Sequence, residues 1–236
     1  MRLEATGTST LLALLCMGLS PCAEANEVGF YVGGDFSRAR KQGERAFYDS
    51  FVEDVHSFFG YTPSTARSSF DEESSAFDIL VGYRFNRWLA LEGAYSRLGQ
   101  IAFESRTTGN YPNDAGILDF IAESETSGFK VSFLGVWRLT RDWELFARAG
   151  ALFAENRLRV VLITRGEMFV QPGGERTSDS FSKGTVEPLL GVGLGRRFFE
   201  IYDFRLEYQR VLDSGLEDTG GAGDIDALML GVTATF

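Results

Sequence analysis

Beyond residue 25 the chain has no cysteine: its 2 cysteines, Cys16 and Cys22, both lie ahead of that point. The absence suits a protein exported unfolded through an oxidising compartment. Histidine is almost missing, with His56 the single example, and no metal-ligand cluster, phosphate-binding glycine loop or nucleotide fingerprint occurs. Gly191, Gly193 and Gly195 recur at strand period and not as a dinucleotide loop, so no cofactor is expected. Nothing after residue 25 approaches the roughly 18 apolar residues that a spanning helix needs. Positive charge is short as well: a net charge of −10 lacks the field needed to track phosphates, which excludes nucleic acid as a partner.

What the chain does have is glycine, 27 residues, and phenylalanine, 21 residues. Small barrels use both heavily, the first in the interior and the second facing outward. Hydrophobic residues at 44% and charged residues at 24% do not separate a membrane barrel from a soluble domain, and no shift in composition divides the chain in two. At the N-terminus Arg2, an apolar run from Thr10 to Leu19 and the triplet Ala23-Glu24-Ala25 make the layout of a cleavable signal peptide. It is predicted as residues 1–25, ahead of one barrel domain at 26–236. Leu19-Ser20-Pro21-Cys22 loosely resembles a lipid-attachment box, but Pro21 beside the cysteine argues against it.

From residue 26 onward the dominant pattern has period two, in segments of about ten residues, the length of a tilted transmembrane strand. Eight segments are expected: Val28 to Arg38, Phe77 to Phe85, Trp88 to Leu98, Phe129 to Leu139, Trp143 to Ala154, Glu187 to Phe198, Phe204 to Val211 and Ala227 to Phe236. Pro188, which cannot donate a ladder bond, is placed at the start of the sixth. Joins after the second, fourth and sixth segments are a few residues each, whereas residues 39–74, 99–127 and 155–185 form long joins. Short turns on one rim and long loops on the other are the asymmetry of an eight-stranded antiparallel transmembrane β-barrel, with the short rim periplasmic.

Alternation alone also fits a soluble barrel with its apolar face inward. Three features favour the inverted arrangement. Trp88, Trp137 and Trp143 lie beside short turns, joined by Tyr202 and Phe204, as an aromatic girdle does. The opposite face carries both signs of charge, with Asp35, Asp78, Glu92, Glu144, Glu187, Glu207 and Asp226 against Arg84, Lys130, Arg138, Arg148, Arg197 and Arg205. Such a set neutralises itself in an interior filled by side chains, where an unpaired charge costs several kcal/mol. Finally, charges of lipid-facing parity, Arg97, Arg196 and Arg210, occur only near strand ends, where their cost falls towards zero.

The run Phe77-Asp78-Ile79-Leu80-Val81-Gly82-Tyr83-Arg84-Phe85-Asn86-Arg87-Trp88-Leu89-Ala90-Leu91-Glu92-Gly93-Ala94-Tyr95 resembles the second hairpin of the outer membrane protein A-like β-barrel family. Leu145 to Ala154, Leu189 to Gly195 and Arg205 to Gln209 are similar to its later strands, and the terminal Phe236 resembles the signal read by the barrel assembly machinery. The resemblance rests on order and spacing over nearly all of the chain after residue 25. It implies a Gram-negative outer-membrane location, outer-membrane lipid and lipopolysaccharide as surroundings, and a plugged interior with salt bridges. Because the sequence stops at the eighth strand, cell-wall anchoring through a following domain is not expected.

For function, the leading expectation is a structural or surface-interaction barrel acting through its long loops, with an extracellular partner of unknown kind. In the first join Phe47, Phe51, Val55, Phe58 and Phe59 recur at near-helical spacing, as a partner-binding helix or an apolar patch packed on the rim. The alternative is a narrow pore or a carrier of small hydrophobic molecules, as in outer membrane protein W-like relatives. A remote alternative is a lipopolysaccharide-modifying enzyme pairing a serine with His56. A lone loop histidine is far more often solvated, and no catalytic residue is assigned.

Overall fold

The computed structural model describes residues 28–42, 45–58, 60, 62–111, 114–166, 175–198, 201–214 and 223–236. The predicted signal peptide, 1–25, lies outside them. The described chain is a succession of strands with one helix: β1 (Gly29–Lys41), α1 (Arg45–Phe58), β2 (Thr62–Asp71), β3 (Glu73–Asn86), β4 (Leu89–Tyr111), β5 (Asp114–Arg138), β6 (Trp143–Gly166), β7 (Glu175–Phe198), β8 (Tyr202–Ser214) and β9 (Gly223–Thr235). Among the described residues no helix is long and apolar enough to cross a membrane.

Eight strands close into a ring, because β1 pairs with both β3 and β9 and the pairing then runs antiparallel through β4 to β8. Closure matters where the outer face is apolar, since a sheet edge in hydrocarbon would leave backbone groups unpaired. β2 is the ninth strand. It runs along the far half of β4, from Thr62↔Asn110 to Asp71↔Ala102, while β3 occupies the near half, from Phe77↔Arg97 to Asn86↔Leu89. Only Glu72 separates β2 from β3, so the two act as one long strand with a break. Opposite the break β4 bulges at Gly99, whose φ of 38° favours glycine, and the Gln100 amide donates to Ser74 Oγ at 2.8 Å.

Two short turns are fixed by local side chains. Asn86 Oδ1 accepts from the amides of Trp88 (2.7 Å) and Leu89 (3.0 Å), and Thr140 Oγ1 accepts from that of Trp143 at 3.2 Å. At the opposite rim the structure departs from the expected loops. Most of 99–127 and 155–185 is strand: β4, β5, β6 and β7 run 23 to 25 residues, about twice the 13 residues of β1, β8 and β9. With β2 they build a five-stranded curved sheet that stands beyond the closed ring. Pro188 accordingly sits inside β7, one residue beyond the point where β8 begins to pair at Leu189, and not at a strand start.

The two halves of these strands have opposite polarity. In the ring, Leu89, Tyr95, Phe129, Val131, Phe133 and Phe153 point outward and are exposed, while Glu92, Lys130 and Arg148 point inward. Beyond Gly99 and Gly128 the apolar side chains turn to the concave face, with Ile101, Phe103, Leu118 and Phe120 buried. Glu104 and Arg106 are on the outer face there. The helix explains the reversal. α1 returns from the end of β1 into the concave side of the sheet, where Tyr48 and Val52 pack with Phe103, Leu118, Phe120 and Leu158.

Candidate functional site: a filled barrel and a projecting sheet

The barrel interior is stacked in tiers. At the short-turn mouth Arg84 Nη2 donates to both Glu144 oxygens (2.8 and 3.0 Å) and Arg197 Nε to Asp203 Oδ1 (3.1 Å). An apolar tier follows, formed by Tyr31, Leu80, Leu134, Val136 and Phe146 with neighbouring alanines. Next comes the charged tier. Arg205 makes a fork to Asp35 (2.9 and 2.5 Å) and reaches Glu92 Oε1 at 2.8 Å, which also accepts from the Tyr31 hydroxyl at 2.8 Å. Arg148 forks onto Glu207 (2.6 and 3.0 Å), meets Glu92 Oε2 at 2.6 Å and donates to Ser132 Oγ at 2.7 Å. Lys130 Nζ donates to Asp78 Oδ2 at 2.5 Å and Gln209 Oε1 at 3.2 Å.

Above the charges lies a second apolar tier, including Leu98, Leu152, Leu189, Ile225 and Met229. It is capped by Lys41, whose Nζ donates to Thr126 Oγ1 at 3.0 Å. From there a chain of hydrogen bonds runs through Asn156 to Glu187 Oε1 (2.6 and 2.9 Å). A cavity of about 50 Å³ near the mouth, lined by Tyr31, Arg84, Glu92, Phe146 and Arg205 among others, has room for a few waters. Forked pairs of this kind are short and directional, and removing one partner of a buried pair costs about 3–5 kcal/mol.

The projecting sheet is different in chemistry. Its outer face carries ion pairs, Arg106 with Asp119 across β4 and β5 (2.5 and 3.0 Å), Arg157 with Glu155 along β6 (3.0 Å) and Arg97 with Glu125 across β4 and β5. The hydrogen bonds to Asp119 raise the Arg106 guanidinium further above its usual range. On α1 burial lowers the pKa of His56, opposed by the nearby Glu53 charge, and burial raises that of Tyr48. Among the described residues no three His, Cys, Asp or Glu side chains are grouped to hold a metal.

A family model described as the OmpA-like transmembrane domain matches residues 25–236. The chain belongs to that family. Its barrel is therefore one of the bacterial outer membrane, with short periplasmic turns and the long strands extending outside. Among solved structures it is similar to the attachment invasion locus protein Ail of Yersinia pestis, at 15% identity over 88% of this chain and 99% of that one (TM-score 0.43). Neisserial surface protein A is similar at 15% identity over 88% and 97% (TM-score 0.42). OprG of Pseudomonas aeruginosa is similar at 8% identity over 91% and 99% (TM-score 0.43). No curated protein sequence matches the chain.

In this OmpA-like barrel the outward apolar stretch of β5 and its turn, Phe129 to Leu139, spans ten residue steps. At about 3.3 Å per step and a tilt near 40° that is roughly 25 Å, the height of a membrane band. Trp88, Trp137 and Trp143 are exposed at its periplasmic edge, beside Phe204 and the half-buried Tyr202, and the Arg196 guanidinium lies 5.1 Å from the Trp143 ring centroid. The Phe236 amide donates to Phe30 O at 3.0 Å, tying the last residue to β1.

Of the residues expected inside, Asp78, Glu92, Lys130, Arg148, Arg205 and Glu207 meet in the charged tier with Asp35. Arg84, Glu144 and Arg197 gather at the mouth, and Glu187 belongs to the separate tier under Lys41. Arg138 is exposed at the periplasmic rim, because it stands at the last residue of β5, outside the packed interior. Asp226 faces outward, where it accepts from Arg210 (2.7 and 3.0 Å). The parity of β9 puts even positions outside. Lys41, Asn156, Gln209 and Asp203 escaped sequence reasoning. Lys41 and Asn156 fall in the long joins and Asp203 in the short join before the seventh segment, so strand parity was an available signal for Gln209 alone.

Proposed function

We propose that this protein is a closed membrane anchor that carries an extracellular interaction surface, the projecting sheet with α1 seated in it. The observation that supports this reading is the filled interior: alternating apolar and ion-paired tiers, with a cavity of about 50 Å³ as the space near the mouth. A conduit needs a wet path, and eight strands leave an interior just wide enough for side chains. About half of each long strand lies outside the membrane band; from Gly128 back to Asp114 β5 adds roughly 45 Å of extended chain. A loop that served only to turn the chain would not be built as a sheet with its own core. A non-enzymatic role is supported by His56, which at 6% exposure lies on the packed face of α1 and is not presented to a substrate.

Planar-bilayer recording of the refolded protein tests the reading. Silence from an inserted barrel is the expected result. Reproducible unit steps that change when Glu92 or Arg148 is replaced would overturn it in favour of a narrow pore.

A further inference from the structure

The outer end of the barrel is sealed by four polar side chains from four strands: Lys41 of β1, Thr126 of β5, Asn156 of β6 and Glu187 of β7, each at 0 to 1% exposure. They lie against the apolar tier that includes Leu98, Leu152 and Ile225. Lys41 Nζ donates to Thr126 Oγ1 at 3.0 Å, and Thr126 Oγ1 donates in turn to Asn156 Oδ1 at 2.6 Å. One hydroxyl therefore stands between an amine and an amide carbonyl. The nitrogen of that amide, Asn156 Nδ2, donates to Glu187 Oε1 at 2.9 Å and to Thr185 Oγ1 at 2.8 Å, and Thr185 donates to the same Glu187 oxygen at 2.7 Å.

We infer that Lys41 and Asn156 join as an isopeptide bond, with Glu187 carrying the protons, to make a covalent strap across the outer mouth of the barrel. An amine acylates in this way when it is neutral, when the carbonyl is polarised and when an acid stands at the leaving group. The first condition is met by burial. Lys41 lies beyond the apolar band, level with Thr126, and loss of water brings its pKa down from the ordinary value to about 8, with the nearby Glu187 charge opposing. The second is met by the Thr126 hydroxyl, aimed at Oδ1 where negative charge develops. The third is met by Glu187 at Nδ2. A dry site also keeps water from competing for the carbonyl, and holding both groups removes the cost of bringing them together.

The step closes without any further reactant. The Lys41 ammonium passes one proton to Glu187, and the neutral Nζ attacks Asn156 Cγ as the Thr126 hydroxyl swings from between them. Nζ gives up a second proton as the new C–N bond becomes an amide. Nδ2 takes both protons as its bond to Cγ breaks, so ammonium departs and Glu187 is left as the carboxylate it was. Inside the same barrel Lys130 and Gln209 provide the contrast. Asp78 at 2.5 Å holds Lys130 as an ion pair, and Gln209 Nε2 has no hydrogen-bond partner that could protonate it. No bond is expected there.

β1 and β6 face each other across the ring, with three strands between them on either side. The strap would fasten the strand that leads into α1 to the opposite wall, which goes beyond the closed-anchor reading and does not depend on what the sheet binds. Intact-mass spectrometry of the refolded barrel is expected to show a chain lighter by one ammonia than the same chain kept in denaturant. Protease digestion is expected to yield one joined pair of peptides, containing Lys41 and Asn156. After boiling, the looped chain is expected to run ahead of Lys41→Met on gels. Lys41→Met and Glu187→Gln, judged folded by the heat-dependent gel shift, are expected to keep the full mass, and Asn156→Asp to lose water in place of ammonia. Full mass in the folded unaltered protein would overturn the inference, and that measurement needs no variant to fold. A loss of ammonia that persists in Lys41→Met, or a joined pair containing Lys130, would overturn it as well.

Discussion

Lys130 and Asp78 meet inside the barrel, Nζ donating to Oδ2 at 2.5 Å, although 52 residues separate them in the chain and both side chains are almost wholly out of water. The pair ties β5 to β3 across the interior, with Gln209 of β8 as a third member at 3.2 Å. Two charges so placed hold their position because each has lost the water that would replace its partner. Lys130→Met is therefore expected to cost about 3–5 kcal/mol, since it leaves the Asp78 carboxylate buried and alone, while adding Asp78→Asn is expected to recover most of the loss. Urea titration of the folded, heat-modifiable band on gels measures both. Equal stability of the single and double variants would show that the charge pair does not hold the tier together.

Gly82 makes room for the Tyr31 ring, whose atoms a Cβ at that position would overlap. The ring in turn carries the hydroxyl that donates to Glu92. Gly82→Ala is expected to destabilise the barrel by about 1–3 kcal/mol through overpacking. With Tyr31→Ala also present, the combined loss is expected to fall short of the sum of the single losses by about 1 kcal/mol or more, because the two substitutions share one clash. Strict additivity in the same urea titration would mean that the ring and the glycine do not meet.

The membrane half of the fold was legible because hydrocarbon imposes one rule on every strand, apolar side chains outward at period two. Leu89, Leu91 and Tyr95 on β4 obey it, as do Phe129, Val131 and Phe133 on β5, and the charged residues of the opposite parity form the tier of ion pairs. The projecting half was not legible for a related reason. At Gly128 the apolar positions of β5 change phase, from Phe129 outside to Phe120 inside, whereas on β4 the bulge at Gly99 adds a residue and so moves the same phase from Tyr95 outside to Ile101 and Phe103 inside. A pattern that reverses phase mid-strand reads as the end of the strand. The aromatic periodicity of the first join did point to a helix, but Tyr48 and Val52, which make its packing, were overlooked in favour of Phe51 and Phe58, which are exposed. The side chains of Phe47 and Phe59 lie outside the described residues.

Seating of α1 is expected to depend on pH through His56. Burial holds its folded pKa below the ordinary value of 6.5, so the neutral ring is the form that the packed helix favours. The contribution is fully present above about 6.5 and is lost as the pH falls through the lowered folded value. Hydrogen exchange at α1 amides is expected to quicken on acidification from pH 7 to pH 5 while the amides of the closed ring stay protected. His56→Gln removes the titrating group and is expected to flatten that dependence. A helix whose exchange responds to acid equally in both proteins would assign the effect to other groups.

The three tryptophans are the chain's whole complement and all stand at one edge of the apolar band, Trp88 and Trp143 beside the short turns and Trp137 one residue inside the end of β5. Indoles at this depth sit among headgroups with their rings against the first methylenes. In vesicles containing brominated lipids, quenching of the folded protein's emission is expected to be strongest when bromine is carried near the glycerol end of the acyl chain and weakest when it is near the terminal methyl. The arrangement also makes orientation readable: with the barrel inserted in one sense, a water-soluble quencher added on the periplasmic side reaches all three rings, and added on the opposite side reaches none. Strong quenching from the bilayer centre would place the band differently, moving Trp88, Trp137 and Trp143 into the hydrocarbon and shifting the whole sheet with them.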